Sequence, residues 1–382
     1  MGVKRAWPYV RKKGNIPVTQ PKVTPASPES KIRIDVCSTH NTPIRHFYSN
    51  ATDLNAAHRK LESWLKKLGG KAQVRFYIDG LPAEEKKRTH AKRQQGRQHA
   101  LAKAAAAITN LETRLSSNLR VRKHHITNAS KNLRQAFHWS FEHRSSFVEY
   151  MSSQGYDIVL CPTEADVLIA SECQPKDAVV SCDSDLLFYK NIPSVWRPVG
   201  SYKARQFLSY EKSTLLETLN LTTTQLTALA ILSGNDYINN IPHLAIETNA
   251  ELIGSMKGVE HDIIHQYLSH PRVVRQIGKE NEDWTENSYA SAFKVFVNMR
   301  QEIAESLPSA AIRSHSDHSD TPATPPSYEE LQGRMTNFMR ALKISKAEAY
   351  RARVAKSHGC RVGCTHTTKV DQPLFTCRQA QP

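Results

Sequence analysis

Four short stretches of this chain have the composition of β-strands, and an acid stands at or just beyond the end of each. Lys31–Asp35 (KIRID), Ala72–Asp79 (AQVRFYID) and Asp177–Asp183 (DAVVSCD) each finish on an aspartate, and Tyr156–Leu160 (YDIVL) is followed closely by Glu164. Helix-like stretches such as Ala51–Leu68 and Glu164–Cys173 lie between them. Strands alternating with helices predict an α/β fold with a mostly parallel sheet. In such open sheets, ligands bind beyond the carboxyl ends of the strands. The pattern therefore predicts an acidic rim of Asp35, Asp79, Glu164, Asp166, Asp183 and Asp185. Asp236 joins it after a helical stretch in which Leu226, Leu229, Ala230 and Ser233 share a face.

Carboxylates gathered on one rim repel each other. Hard oxygen donors at close quarters suit Mg²⁺ or Mn²⁺. Two such ions about 3.5–4 Å apart activate water and stabilise the leaving oxygen of a phosphodiester. Any one of these acids could equally be a helix cap or a turn former. Glu164 and Asp166, two apart, could converge only at a helix entry. The reading rests on the whole set.

The formal charge of +16 and pI near 9.5 favour a polyanionic partner, with nucleic acid first and acidic membrane second. The surplus is concentrated in residues 82–146, with 14 Lys or Arg against 4 Asp or Glu. This region reads as a basic, partly helical insertion with little apolar periodicity, Ala-rich around Leu101–Leu111. No apolar run approaches the roughly 18 residues of a membrane span. The N-terminus lacks the apolar segment of a secretory signal, and Ala6 stands where a myristoylation motif prefers Ser or Thr. Cys37, Cys161, Cys173 and Cys182 sit in apolar stretches, as buried thiols of a reducing compartment do.

These residues together resemble the flap endonuclease/XPG family of structure-specific nucleases, in the PIN-like superfamily. The opening Met-Gly-Val-Lys with Ala6-Trp7 is similar to the family's N-terminus, which lies close to its active site. Phe76–Gly80 with Pro82, Cys161–Ala170 (CPTEADVLIA), Val180–Phe188 (VSCDSDLLF) and Leu232–Tyr237 (LSGNDY) resemble its remaining elements, in order and spacing, over roughly residues 1–256. The resemblance implies a PIN-like core with a basic helical arch. It implies that Asp35, Asp79, Glu164 and Asp166 serve mainly a first Mg²⁺ ion, and that Asp183, Asp185 and Asp236 serve a second. Lys86 and Arg93, seven and fourteen residues after Asp79, would clamp the scissile phosphate. The implied reaction is hydrolysis of DNA at 5′ flaps or junctions. An RNA nuclease and a non-catalytic nucleic-acid-binding protein on the same scaffold are the alternatives.

Three departures stand against the family pattern. Asp166 replaces a longer Glu, so its metal contact would run through water. The insertion is longer than a minimal arch. Asn240-Ile241-Pro242-His243-Leu244 has none of the glycines of the family's duplex-gripping hairpin, which makes 221–256 a degenerate helix-turn-helix region.

The expected organisation is a basic N-terminal segment (1–30), poorly ordered after its first turn or two, and a nuclease core (31–256). A helical extension (257–306), a linker (307–328), a basic helix (329–357) and a flexible tail (358–382) follow. Gln332, Met335, Phe338 and Met339 resemble a motif that binds the sliding clamp, although the same spacing suits an amphipathic helix. His358, Cys360, Cys364, His366 and Cys377 do not form a standard zinc pattern and read as incidental thiols and imidazoles of a tail. Lys4-Arg5 and Arg11-Lys12-Lys13 point to the nucleus, with the mitochondrion as the alternative.

Overall fold

A computed structural model describes residues 2–14, 18–19, 29–49, 51, 53–68, 71–199, 206–279, 284–304 and 326–359. Its centre is a seven-stranded sheet built from β1 (Val18–Thr19), β2 (Ile32–Asp35), β3 (Val74–Ile78), β4 (Asp157–Leu160), β5 (Ala178–Val180), β6 (Ser194–Val199) and β7 (Gln206–Glu211). The spatial order is β1-β7-β6-β5-β2-β3-β4. Strands β6, β5, β2, β3 and β4 run parallel, and β7 and β1 extend the edge antiparallel. The chain steps from β2 outward to β3 and β4, then returns to β5 on the other side of β2. That reversal opens a crevice between the carboxyl ends of β2 and β5, where open α/β sheets bind ligands.

Alternation along the strands divides the core into two layers. Ile32, Ile34, Phe76 and Ile78 face the helices Asn41–Ser49, Leu54–Leu65 and Phe141–Ser153. Tyr77 and Val179 face a larger core with Ile169, Phe188, Leu229 and Phe296. Arg33 points into this second layer and is buried. Its Nε donates to Asp177 Oδ2 at 2.8 Å, and Nη1 lies 3.1 Å from Glu172 Oε2. All four residues of β2 are therefore buried, because Arg33 is neutralised internally, while Lys31 just before it stays partly exposed.

Several sequence expectations need correction. The basic N-terminus forms a helix, Ala6–Lys13, whose Ala6, Trp7, Tyr9 and Val10 are buried, so the core begins before residue 31. Residues 15–17 and 20–28 lie outside the described set. Residues 206–211 form β7, paired with β6, and the following helix begins at Lys212. The core does not stop at 256 either. Helices Glu260–Ser269, Pro271–Ile277 and Ala290–Phe296 share one apolar cluster with Leu226 and Leu229, and Tyr267 donates to Asn249 Oδ1 at 2.8 Å. No helix among the described residues is long and apolar enough to cross a membrane.

The basic insertion is a helical hairpin of Lys87–Ser116 and Lys123–Ala136. It carries an apolar stripe after all, Ala100, Ala104, Ile108 and Leu111, all buried. Helix Phe141–Ser153 belongs to the core through Phe147 and Met151, so the insertion ends before residue 146. The stripe is covered by a long C-terminal helix, Tyr328–Gly359, through Leu331, Met335, Phe338 and Leu342. Arg334 seals the contact with two bonds to Glu112, and Gln332 Nε2 donates to Ser49 O at 2.8 Å. Met335, Phe338 and Gln332 of the clamp-like motif are thus engaged inside the molecule, as an amphipathic helix engages its neighbours, and are not displayed for a clamp. Residues 307–325 of the linker and 360–382 of the tail fall outside the described residues, and with them Cys360, Cys364, His366 and Cys377, as does the side chain of His358.

Candidate active site

A cavity of about 430 Å³ opens at the crevice between β2 and β5, roofed by the first turns of the long arch helix. Asp35, Asp79, Glu164, Asp166, Asp183 and Asp236 all line it, with Lys86 and Arg93. The chain arrives at each acid by a different local device. Asp35 ends β2 and caps the next short helix, accepting from Ser38 N at 3.1 Å and from Ser181 Oγ at 2.9 Å. Asp79 follows β3 and accepts from Ala165 N at 2.9 Å. Glu164 is the N-cap residue of helix Ala165–Glu172, and Asp166 sits in its first turn. This is the helix entry at which residues two apart converge. Tyr189 OH donates to Asp166 Oδ2 at 3.1 Å.

Asp185 does not line the cavity. It is fully buried, its Oδ1 accepts from Val3 N at 2.7 Å, and its Oδ2 has no hydrogen-bond partner. Its partner Val3 explains the N-terminal glycine. Gly2 lies at φ +84°, and a Cβ there would overlap Asp183 Oδ1 and stand 2.5 Å from Ser184 Oγ. The opening residues are therefore packed against the acidic loop after β5.

Electrostatically the cluster is strained. Burial and Asp79 push the Asp35 carboxyl up to about 7, and burial pushes Asp166 up to about 8. Asp79 and Asp183 are raised too, first by burial. Asp185 rises well above the carboxylate range, first by burial and then through Asp183. Lys86 is buried among these acids. Burial opposes its charge, but Glu164, Asp166, Asp185 and Asp183 outweigh that and raise it well above the usual lysine range. It pairs with Glu164 and lies 3.9 Å from Asp236 Oδ2, and Arg93 reaches the same oxygen at 3.0 Å. Among the described residues, no three His, Cys, Asp or Glu side chains are already gathered in a geometry that would hold a metal ion. In this state protons, Lys86 and Arg93 offset the negative charge.

The sequence reading missed part of the cavity. Arg45, His90, Arg97, His138 and Arg144 also line it. Nothing in their spacing marks them, because they come from separate helices and a loop. The loop after Asp236 departs from glycine as the sequence indicated, and His243 takes a left-handed conformation there, at φ 63°. It still joins two packed helices, Thr223–Leu232 and Ile246–Ile253.

No protein-family model matches the chain. Flap endonuclease 1 of Tetrahymena thermophila is 26% identical over 229 residues, 58% of this chain and 54% of that protein. Flap endonuclease 1-B of Oryza sativa subsp. japonica is 27% identical over 249 residues, 63% of this chain and 53% of that protein. The chain is thus similar to flap endonucleases over roughly half to two thirds of its length, at 26–28% identity. It spans about half the length of the curated relatives it matches. Among solved structures, human GEN1 in complex with Holliday junction DNA is 14% identical, with a TM-score of 0.49 over 80% of this chain and 68% of that one. The catalytic core of Rad2 in complex with DNA substrate is 16% identical, with a TM-score of 0.44 over 90% and 98%. The five sequence elements of the resemblance meet around one cavity and the loop behind it.

Proposed function

We propose that this protein is a Mg²⁺-dependent, structure-specific nuclease that hydrolyses DNA at 5′ flaps or junctions. The observation that carries the reading is the convergence of six carboxylates from separate segments in one cavity with Lys86 and Arg93. The donor chemistry fits Mg²⁺ or Mn²⁺. It is all oxygen, and its carboxyls are raised first by burial, and at Asp35 and Asp166 also by neighbouring acids, a penalty that a bound cation would offset. Asp35, Asp79, Glu164 and Asp166 would hold one ion, and Asp183 and Asp236 a second; Asp185, buried against Val3 N outside the cavity, would steady Asp183 through its backbone N–H and not hold the ion. When bound, such ions activate water and stabilise charge on the leaving oxygen.

The chain's own residues do the rest. Lys86 and Arg93 bring two cationic donors to the cavity and hold the scissile phosphate. The arch helix over the cavity limits solvent around the reacting group. The packed Gly2–Val3 segment fixes the loop that carries Asp183 and Asp185. Exposed Lys4, Arg5, Arg11, Lys12 and Lys13 support a nuclear location.

The test is cleavage of labelled flap, bubble, single-stranded and RNA substrates with Mg²⁺ or EDTA. Wild type should cut flap or bubble DNA only with the metal, and Asp183→Asn or Asp236→Asn should abolish cutting while DNA binding survives. Equal cutting by those variants would overturn the assignment. Binding without cleavage, together with no heat of Mn²⁺ binding in calorimetry, would identify a non-catalytic scaffold instead.

A further inference from the structure

The cavity has a second wall of opposite sign. Arg45 projects from helix Asn41–Ser49, Arg97 from the long arch helix, and Arg144 from helix Phe141–Ser153, with His138 between the last two in sequence. Among the described residues, the ion pairs of the cavity run to Lys86, His90 and Arg93 and reach none of these three arginines. Arg144 Nε is buried and has no hydrogen-bond partner. A guanidinium carries five donors and does not give up its proton, so a buried unpaired edge lacks an anion. The crowding agrees. Arg97 is lowered from its usual value by burial and then by Arg93 and Arg45. His138 is lowered to about 4 by burial and then by Arg97 and Arg144.

We propose that Arg144, supported by Arg97 and Arg45, binds a second phosphate of the substrate strand, the neighbour of the scissile phosphate on the unpaired side. The inference rests on the nuclease reading and deepens it. The acidic wall requires positive charge and the opposite wall requires negative charge, which a phosphate chain crossing the cavity supplies. A volume of about 430 Å³ is in the range of roughly 300–1,000 Å³ that holds small molecules, so it admits an unpaired strand and not a duplex. Arginine suits the task because its planar fork meets two phosphate oxygens at once. Among the described residues no acid forms an ion pair with Arg144, whose charge reaches Asp79 and Glu142 only at longer range, in contrast to Arg93, which is held by Asp236.

The test uses the full chain and its Arg144→Ala and Arg144→Lys variants, with melting temperature as the control for folding. Fluorescence anisotropy in EDTA reads binding of a labelled flap DNA, and single-turnover assays with Mg²⁺ read cutting. Arg144→Ala should weaken binding roughly tenfold to a hundredfold, and its salt slope should fall by about 1. Arg144→Lys should recover only part of the loss. Single methylphosphonates, walked along the flap, neutralise one phosphate at a time. The neighbouring position should weaken binding to wild type and have no further effect on Arg144→Ala. One-nucleotide flaps with a 5′-phosphate or a 5′-hydroxyl tell a terminal phosphate from an internal one, and dependence on either supports the site. Wild-type affinity in Arg144→Ala, or equal sensitivity of both proteins to methylphosphonate at every position, would overturn it. A wild type that binds as described but cuts nothing would strike the nuclease reading and leave the phosphate site standing.

Discussion

Gly2→Ala offers the sharpest test of how the N-terminal segment supports the acidic loop. The new Cβ would overlap Asp183 Oδ1 and stand 2.5 Å from Ser184 Oγ and 2.6 Å from Asp185 Oδ1. The backbone at φ +84° adds roughly 1–2 kcal/mol for an L-residue. The aspartates cannot easily swing aside. Asp185 N donates to Asp183 Oδ1 at 3.2 Å, and Asp183 N to Ser181 Oγ at 2.9 Å. The segment itself must then lift, breaking the 2.7 Å bond from Val3 N to Asp185 Oδ1. A hydrogen bond to a carboxylate contributes roughly 1.5–3 kcal/mol. The sum is about 2.5–5 kcal/mol, and it is local. The following helix stays anchored by Trp7 Nε1 donating to Cys182 O at 3.0 Å, so global melting should move little. The readout is amide hydrogen exchange at Val3 and at Lys4, whose N–H donates to Gly234 O at 2.9 Å. Protection should drop roughly a hundredfold or more. Unchanged protection at both amides would refute the packing argument, and unchanged cleavage would refute its importance for the proposed reaction.

Four further outcomes follow from the same coordinates. Asp35 and Asp166 have folded values of about 7 and about 8 against an ordinary 3.8, so their contribution to stability is complete below pH 4 and is lost as pH rises through 7 to 8. In EDTA, the melting temperature of wild type should therefore fall relative to an Asp35→Asn/Asp166→Asn variant between pH 5 and pH 8.5, and parallel curves would contradict this. Arg33→Met removes the partner of buried Asp177 and should cost about 3–5 kcal/mol in denaturant melts. Phe338→Ala should destabilise the docking of the C-terminal helix by about 3–5 kcal/mol and expose 328–359 to limited proteolysis, whereas a helix docked by other means would stay resistant. Lys86→Gln withdraws the buried cation shared by the acids. It should lower the melting temperature in EDTA and tighten Mn²⁺ binding in calorimetry, and weaker Mn²⁺ binding would show that Lys86 does not compete for the site.

The legible part of the fold was the part written in local pattern. Runs such as FYID and AVVSCD combine β-branched or aromatic residues with a terminal acid, and those acids do meet at the carboxyl ends of β2, β3 and β5. Strands β6 and β7 were hidden because SVWRPV contains Pro198, which lies beyond the β5 pairing, and QFLSYE is half polar. The stripe on the arch was hidden because Ala100 and Ala104 are too small to register as a hydrophobic face, and they become one only when Leu331 and Phe338 pack on it. The N-terminal helix was masked by its basic residues, which lie on the face opposite Ala6, Trp7 and Val10. Asp185 illustrates a different limit. Spacing places it beside Asp183, but whether a carboxylate faces the cavity or the protein interior depends on Val3, 182 residues away.

The electrostatic argument from sequence also changes form once the side chains are placed. Seven acids on one rim suggested that only divalent ions could make such a fold tolerable. The fold instead tolerates them by several ordinary means. Two carboxyls sit near neutrality in their proton affinity, Asp35, Asp79 and Asp185 accept backbone N–H bonds, and Lys86 and Arg93 supply charge. Stability therefore does not demand a metal, and the case for one must rest on what these stopgaps leave undone. Lys86 and Arg93 are bound to Glu164 and Asp236, so neither is free to meet a phosphate while those acids lack another cation. Among the described residues the arginines opposite form no ion pair, and Arg144 Nε has no hydrogen-bond partner. The cavity is thus primed for an anion on one side and self-neutralised on the other. Under the proposed function, cation binding and phosphate binding are thermodynamically linked, because each releases the charge that the other requires.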